Sequence, residues 1–179
     1  GWMDASDAYF SYQDKEKRLK IMQDSRTGAF AVISVIVLLS SRFLFIYEII
    51  SFHTYLSYLL IAFIPFLSKS VLGLVLVSVP AAKKEGLAAL FQRAGGGNAL
   101  LLYAIYIVLA AGGIVFAAPY SFAAVSVLIL AAVLSYFFIR RNTIKWFGGI
   151  TGDVLGASVE GTENILWMTL WLLHCFAMV

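Results

Sequence analysis

Asp153, Glu160 and Glu163 follow the small-residue run Gly148-Gly149-Ile150-Thr151-Gly152-Asp153-Val154-Leu155-Gly156-Ala157. At about 100° per residue, Asp153 and Glu160 differ by about 20° around a helix, and Glu163 lies about 60° further on. All three carboxylates therefore share one helix face. Gly149, Gly152 and Gly156 lie near it, where missing side chains let another backbone or a ligand approach closely. The segment that follows is strongly apolar. A carboxylate at the centre of a membrane helix costs roughly 2.5–3.5 kcal/mol on insertion scales. Such acids face a protein interior, a watery cavity or a cation. A span of about 20 residues ending at Val179 would begin at Glu160, so Asp153 fits the interface and the two glutamates do not.

A second acidic pair stands near the other end, Asp4-Ala5-Ser6-Asp7. Carboxylates at i and i+3 lie about 5–6 Å apart at Cβ on one helix face. That suits a hard cation such as Mg²⁺, which takes oxygen ligands and commonly uses one or two carboxylates with substrate phosphates. A solvated helix face gives the same pattern. In Met22-Gln23-Asp24-Ser25-Arg26-Thr27-Gly28, Arg26 is placed for bidentate contact with a phosphate, an acidic partner or a lipid headgroup, and Asp24 for capping the next helix. Lys69, roughly 18 Å deep in its segment, is expected to pair with a buried acid or a substrate phosphate. Arg42 and Glu48 read as a structural ion pair, with each other or with other spans.

These residues must be positioned by membrane helices. The chain is 61% hydrophobic and 13% charged, with mean hydropathy +0.90, against about 45–50% and 25% in soluble domains. Residues 1–28 hold ten of the 23 charges and are too polar to span, with Leu19, Ile21 and Met22 offering a helical apolar face. Five apolar segments follow: Ala29–Ile50, Tyr55–Val79, Ala99–Ala118, Ser121–Ile139, and one from near Ile150 to Val179. Loops 80–98 and 140–149 carry Lys83, Lys84, Arg93, Arg140, Arg141 and Lys145. The opposite connections, Ser51–Thr54 and Pro119–Tyr120, have no Lys or Arg. The alternation places residues 1–28 and both basic loops in the cytoplasm. Gly95-Gly96-Gly97 reads as a connector. Trp146, Trp167 and Trp171 fit an interfacial belt, while His174 and Cys175 fit packing or the helix exterior. The lone cysteine and the separated His53 and His174 give no metal-binding spacing, and the start has no signal-peptide pattern.

The stretches Asp4-Ala5-Ser6-Asp7, Met22-Gln23-Asp24-Ser25-Arg26-Thr27-Gly28 and Gly148-Gly149-Ile150-Thr151-Gly152-Asp153-Val154-Leu155-Gly156-Ala157, in this order and separation, resemble the cobalamin synthase family, the adenosylcobinamide-GDP ribazoletransferases. The resemblance runs essentially end to end. It implies a transferase in which α-ribazole, or its 5′-phosphate, attacks the phosphoryl group of adenosylcobinamide-GDP, giving adenosylcobalamin or its 5′-phosphate and GMP, with Mg²⁺ as cofactor. The family pattern Asp-Gly-x-x-Asp-x-x-Asp would put a further acid just before Gly1, with more membrane segments upstream. Lys69 and Lys83 stand where arginines are expected, keeping charge but losing the bidentate fork.

The expectation is an all-α polytopic bundle of about five transmembrane helices, one integral domain over 1–179, in the cell (inner) membrane. The expected metal ligands are Asp4, Asp7 and Asp153, with Asp7 and Asp153 catalytic and Asp153 either a ligand or the base. Asp24, Arg26, Lys69, Lys83, Lys84, Thr151, Glu160 and Glu163 are expected around substrate. The partners are the two substrates and the bilayer, with a homo-oligomer allowed and nucleic acid excluded. Competing readings are a CDP-alcohol type phosphoalcohol transferase, whose acidic motif does not continue here beyond Asp7, and a transporter or channel. The latter would spread acids through several helices, yet 99–118 and 121–139 carry none.

Overall fold

Eight α-helices and one 3-10 turn make up the described architecture: α1 Trp2–Phe10, α2 Lys15–Ile21, α3 Ala29–Ser51, α4 Tyr55–Ser78, α5 Leu87–Ala94, α6 Ala99–Ala117, the turn Pro119–Ser121, α7 Phe122–Phe147 and α8 Gly152–Ala177. The structure is a computed structural model. It describes residues 1–24, 26–51, 54–82, 87–94 and 98–177, without the side chains of Leu87, Arg93, Ala94 and Ala177. Lys83, Lys84, His53 and the triple-glycine connector thus lie outside the described residues. The all-helical expectation holds. Four helical stretches, α3, α4, α6 and the turn with α7, are long and apolar enough to cross a membrane. The fifth apolar segment is α8, whose first half carries Asp153, Glu160 and Glu163.

Depth within the bundle follows from what each helix can bury. On α4, Leu56, Leu60, Phe63, Ile64, Leu67, Val71 and Val75 recur at helical spacing and are all buried. Thr54 caps this helix by accepting the Ser57 N–H at 3.1 Å. Alongside α4 runs α8, burying Leu166, Trp167 and Leu170 against α4 and α7 and also meeting α1 and α3. By contrast, α6 buries no residue and α3 only Ala31, Leu38 and Ile49. Their exposed Phe43, Leu44, Leu101, Val108 and Leu109 form an apolar surface of the kind a bilayer covers.

One boundary and one tryptophan differ from the sequence expectation. Residues 140–147 are not loop: α7 continues through Arg140, Arg141 and Lys145 to Phe147. Nothing in that stretch breaks a helix, and 26 residues reach about 39 Å, past a hydrocarbon core of about 30 Å. The stop comes at Gly148, whose φ of 75° is left-handed and whose N–H bonds the Ile144 carbonyl at 3.2 Å. Trp167 is also not a belt residue but a core one, 9% exposed. Trp171 packs on Phe45, and Trp146 lies under two cations. His174 is buried, with Nε2 2.9 Å from Ser57 Oγ and Nδ1 2.8 Å from the Leu170 carbonyl oxygen. Cys175 is exposed.

Candidate active site at the head of α8

The turn after Gly148 fixes where α8 begins. Ile150 pairs in parallel with Ala81: the Ile150 N–H bonds the Pro80 carbonyl and the Ala82 N–H bonds the Ile150 carbonyl, each at 2.9 Å. Gly149 makes this approach possible, because a Cβ there would stand 2.5 Å from the Pro80 oxygen and 2.7 Å from the Ala82 nitrogen. Thr151 then caps α8, its Oγ1 accepting the Val154 N–H at 3.2 Å. The chain leading directly into Lys83 and Lys84 is thereby pinned beside the Gly-Gly-Ile-Thr-Gly-Asp run.

A cover of α1 and α2 lies over this junction. Ala8, Met22, Phe147 and Val154 form a small apolar cluster joining α1, α2, α7 and α8. Arg18, 2% exposed, donates from Nε to the Gln13 carbonyl at 2.7 Å. Its guanidinium carbon stands 4.6 Å from the Trp146 ring centre and 5.8 Å from that of Tyr9. Lys145 Nζ is 4.4 Å from the same Trp146 ring. Such cation–ring contacts contribute about 0.5–2 kcal/mol. Sequence reading missed Arg18, whose ring partners lie on two other helices.

The expected acids separate into three environments. Asp4 Oδ2 is 3.1 Å and Asp153 Oδ1 is 3.8 Å from the Gly1 nitrogen. Their side chains are 42% and 44% exposed, and among the described residues neither pairs with a Lys or Arg. Two carboxylates, otherwise uncommitted among the described residues, therefore converge beside Gly1.

Asp7 is turned elsewhere. Its Oδ2 accepts the Gly28 N–H at 2.6 Å and its Oδ1 the Ala31 N–H at 2.8 Å, so it caps α3 from another helix. A Cβ on Gly28 would press on both oxygens at 2.6 Å. Asp24 does not cap that helix. Its carboxylate instead accepts the Arg26 backbone N–H at 3.0 Å and the Arg26 guanidinium at 2.7 Å. The Arg26 side chain, then its backbone N–H, hold the Asp24 carboxyl down to about 2, and the same pair raises Arg26. Among the described residues, no three His, Cys, Asp or Glu side chains converge as a metal cluster. Asp4, Asp7 and Asp153 thus do not form one three-carboxylate cage.

The third environment lies deeper. Arg42 Nη1 is 2.9 Å from Glu160 Oε2 and 3.7 Å from Glu163 Oε2. Glu163 Oε1 accepts the Ser68 hydroxyl at 2.9 Å and lies 3.6 Å from Lys69 Nζ. Lys69, itself 65% exposed, thus stands beside a partly buried acid rather than a fully buried one. Arg42 pairs with Glu160 and Glu163 rather than Glu48, which is exposed and makes no ion pair among the described residues.

The comparisons with known proteins agree with the motifs. The family model for cobalamin-5-phosphate synthase matches residues 1–171. The chain belongs to the cobalamin-5-phosphate synthase family. It is a transferase of cobalamin biosynthesis with several membrane-crossing helices. It is 42% identical over 191 residues to an adenosylcobinamide-GDP ribazoletransferase of Geobacillus sp. (strain WCH70), covering 100% of this chain and 68% of that protein. The identity to the enzyme of the same name from Geobacillus thermodenitrificans (strain NG80-2) is also 42%, covering 99% and 67%. For that from Clostridium botulinum (strain Alaska E43 / Type E3) it is 32%, covering 92% and 64%. No solved structure matches.

Proposed function

We propose that this chain carries the Mg²⁺-dependent centre that joins α-ribazole, or its 5′-phosphate, to adenosylcobinamide-GDP, with release of GMP. The observation that carries the reading is the single point flanked by Asp4 and Asp153 at the head of α8. The two carboxylates converge there beside Gly1, and Mg²⁺ commonly binds through one or two carboxylates plus substrate phosphates. Asp4 and Asp153 would hold the ion, which supplies charge neutralisation on the diphosphate. Asp7 serves instead to anchor α1 on α3.

The ribazole hydroxyl attacks the cobinamide-bearing phosphorus. A new P–O bond forms, the bond to the bridging oxygen breaks, and GMP leaves with that electron pair. Asp153 Oδ2, without a hydrogen-bond partner among the described residues, is available to take the hydroxyl proton. Transfer of this kind is chiefly positioning and charge stabilisation. Arg26, which is exposed, and Lys83 and Lys84, next in sequence to the pinned Pro80–Ala82 segment, supply cations for phosphates. Arg140, Arg141, Lys145, Lys15, Lys17 and Lys20 are all exposed. Their charge supports a cytoplasmic position for the α1 end of the bundle.

The test is GMP release from adenosylcobinamide-GDP and α-ribazole by the full-length protein in lipid. Chelation should abolish release and Mg²⁺ restore it. Asp153→Asn should lower turnover by roughly 10²–10⁴-fold, with Asp4→Asn also strongly impaired and both proteins still folded. Native turnover in both variants would refute the assignment.

A further inference from the structure

We propose that Arg42 is a positioning residue. Its guanidinium locks the rotation of α8 from mid-bundle, with Glu160 and Glu163 as its counter-charges and Lys69 as a second cation on Glu163, rather than as substrate contacts. Arg42 grips Glu160 twice, with Nη1 on the carboxylate at 2.9 Å and Nη2 on the main-chain carbonyl at 3.0 Å. A planar fork can hold a side-chain and a backbone oxygen of one residue together, whereas a lysine ammonium offers a single flexible point. The backbone bond matters most, because a carboxylate can swing while a helical carbonyl moves only with its helix.

Around this grip the charges balance. Arg42 and Lys69 stand against Glu160 and Glu163. The Arg42 and Glu163 side chains are only 18% and 16% exposed, so removing one partner strands charge away from water. Glu163 carries the connection to α4 through Ser68, and Ser41 and Asn164 add a second α3–α8 bond at 3.2 Å. The Arg42 Nε is buried with no hydrogen-bond partner among the described residues. The group is thus oriented for its two Nη contacts at the expense of that donor.

The next residue, about 100° further round α8, meets α1. A Cβ on Gly161 would stand 3.2 Å from the Trp2 ring, so α1 registers on α8 immediately beside the α3 contact. Glu160 lies seven residues from Asp153, two helical turns or about 10.5 Å along a stiff rod. Fixing the rotation at 160 fixes the direction in which Asp153 presents its carboxylate to Asp4. The effect on turnover rests on the proposed role of Asp153, whereas the lock itself does not.

The experiment compares Arg42→Lys, Arg42→Gln and the double variant Arg42→Gln/Glu160→Gln. The double variant leaves Lys69 against Glu163, keeps the set neutral and guards against simple misfolding. Helix rotation is read by disulfide formation between cysteines placed at Gly1 and Gly156 in a Cys175→Ser background. An ideal Cβ at either position lies within 3.8 Å of the other residue's Cα. Turnover is measured on the same Arg42 and Glu160 variants without the added cysteines. We expect the double variant to melt near the parent temperature, to cross-link several-fold more slowly, and to lose about 10²-fold in kcat with KM little changed. Arg42→Lys should fall between it and the parent. Cross-linking and kcat both at the parent level in the double variant would overturn the proposal. Slower cross-linking with native kcat would keep the lock and remove Asp153 from the chemistry, overturning the proposed function instead.

Discussion

Asp153 and Glu163 sit on one helix, ten residues apart, and meet opposite surroundings. Asp153 is 44% exposed, close to Gly1 and Asp4, with no Lys or Arg pairing it among the described residues. Glu163 is 16% exposed and held by Arg42, Lys69 and Ser68. Both are acids in a largely apolar bundle, which by itself marks each as functional. The difference shows that the mark covers two purposes. An acid whose charge is already cancelled on every side is committed to holding helices, and one left with unmet charge is available to a cation or a substrate. The head of α8 is therefore where chemistry fits, and the middle of α8 is where the frame is fastened.

That contrast can be broken at the joint that sets the head of α8. Gly149→Ala forces a methyl to 2.5 Å from the Pro80 oxygen, so the bridge to Pro80 and Ala82 must open. A cost of about 3 kcal/mol is expected, read as a lowered melting temperature in detergent, with GMP release falling alongside. The mid-bundle pairs should persist, and Gln92, which donates to the Leu76 and Val79 carbonyls, should still hold α5 to the end of α4.

A smaller effect tests the second acid of the Asp4/Asp7 pair. Asp7→Ala removes two N–H partners at the start of α3 and should cost about 2 kcal/mol of stability. Loss of turnover well beyond what that destabilisation explains would return Asp7 to the chemistry. The smallest effect is the Asp24–Arg26 pair. Asp24 falls from its ordinary 3.8 to about 2 in the folded protein. Its depressed value means the contribution is present above about pH 4 and is lost as pH falls through about 2. An NMR titration should place its midpoint near 2, returning toward 3.8 in Arg26→Gln. An unchanged midpoint in that variant would show that Arg26 is not the cause.

Much of this was readable from the residue string, and the failures have definite causes. The apolar segments, the helical face at Leu19, Ile21 and Met22, and the acidic face of α8 depend on local spacing, and each reappears in the fold. Trp167 was misplaced because lipid and protein core are both apolar, so hydrophobicity does not say which side a residue faces. The end of α7 is not legible in the charge pattern, because Arg140, Arg141 and Lys145 do not stop a helix and Gly148 does. The partners of Arg42 and Asp7 could not be read locally. Glu160 lies 118 positions from Arg42, and the Ala31 N–H lies 24 from Asp7. Only the docking of α1 and α8 on α3 brings them together.

The parallel bridge between Ala81 and Ile150 is made wholly of main-chain atoms. Its hydrogen bonds need only an N–H at Ala82 and Ile150 and the bare Cα of Gly149, while the Ile150 side chain is held separately by the core. The lysine-bearing stretch after Ala82 can therefore be rewritten residue by residue while its point of attachment stays put. The joint from which that stretch departs is thus independent of the charges the stretch carries.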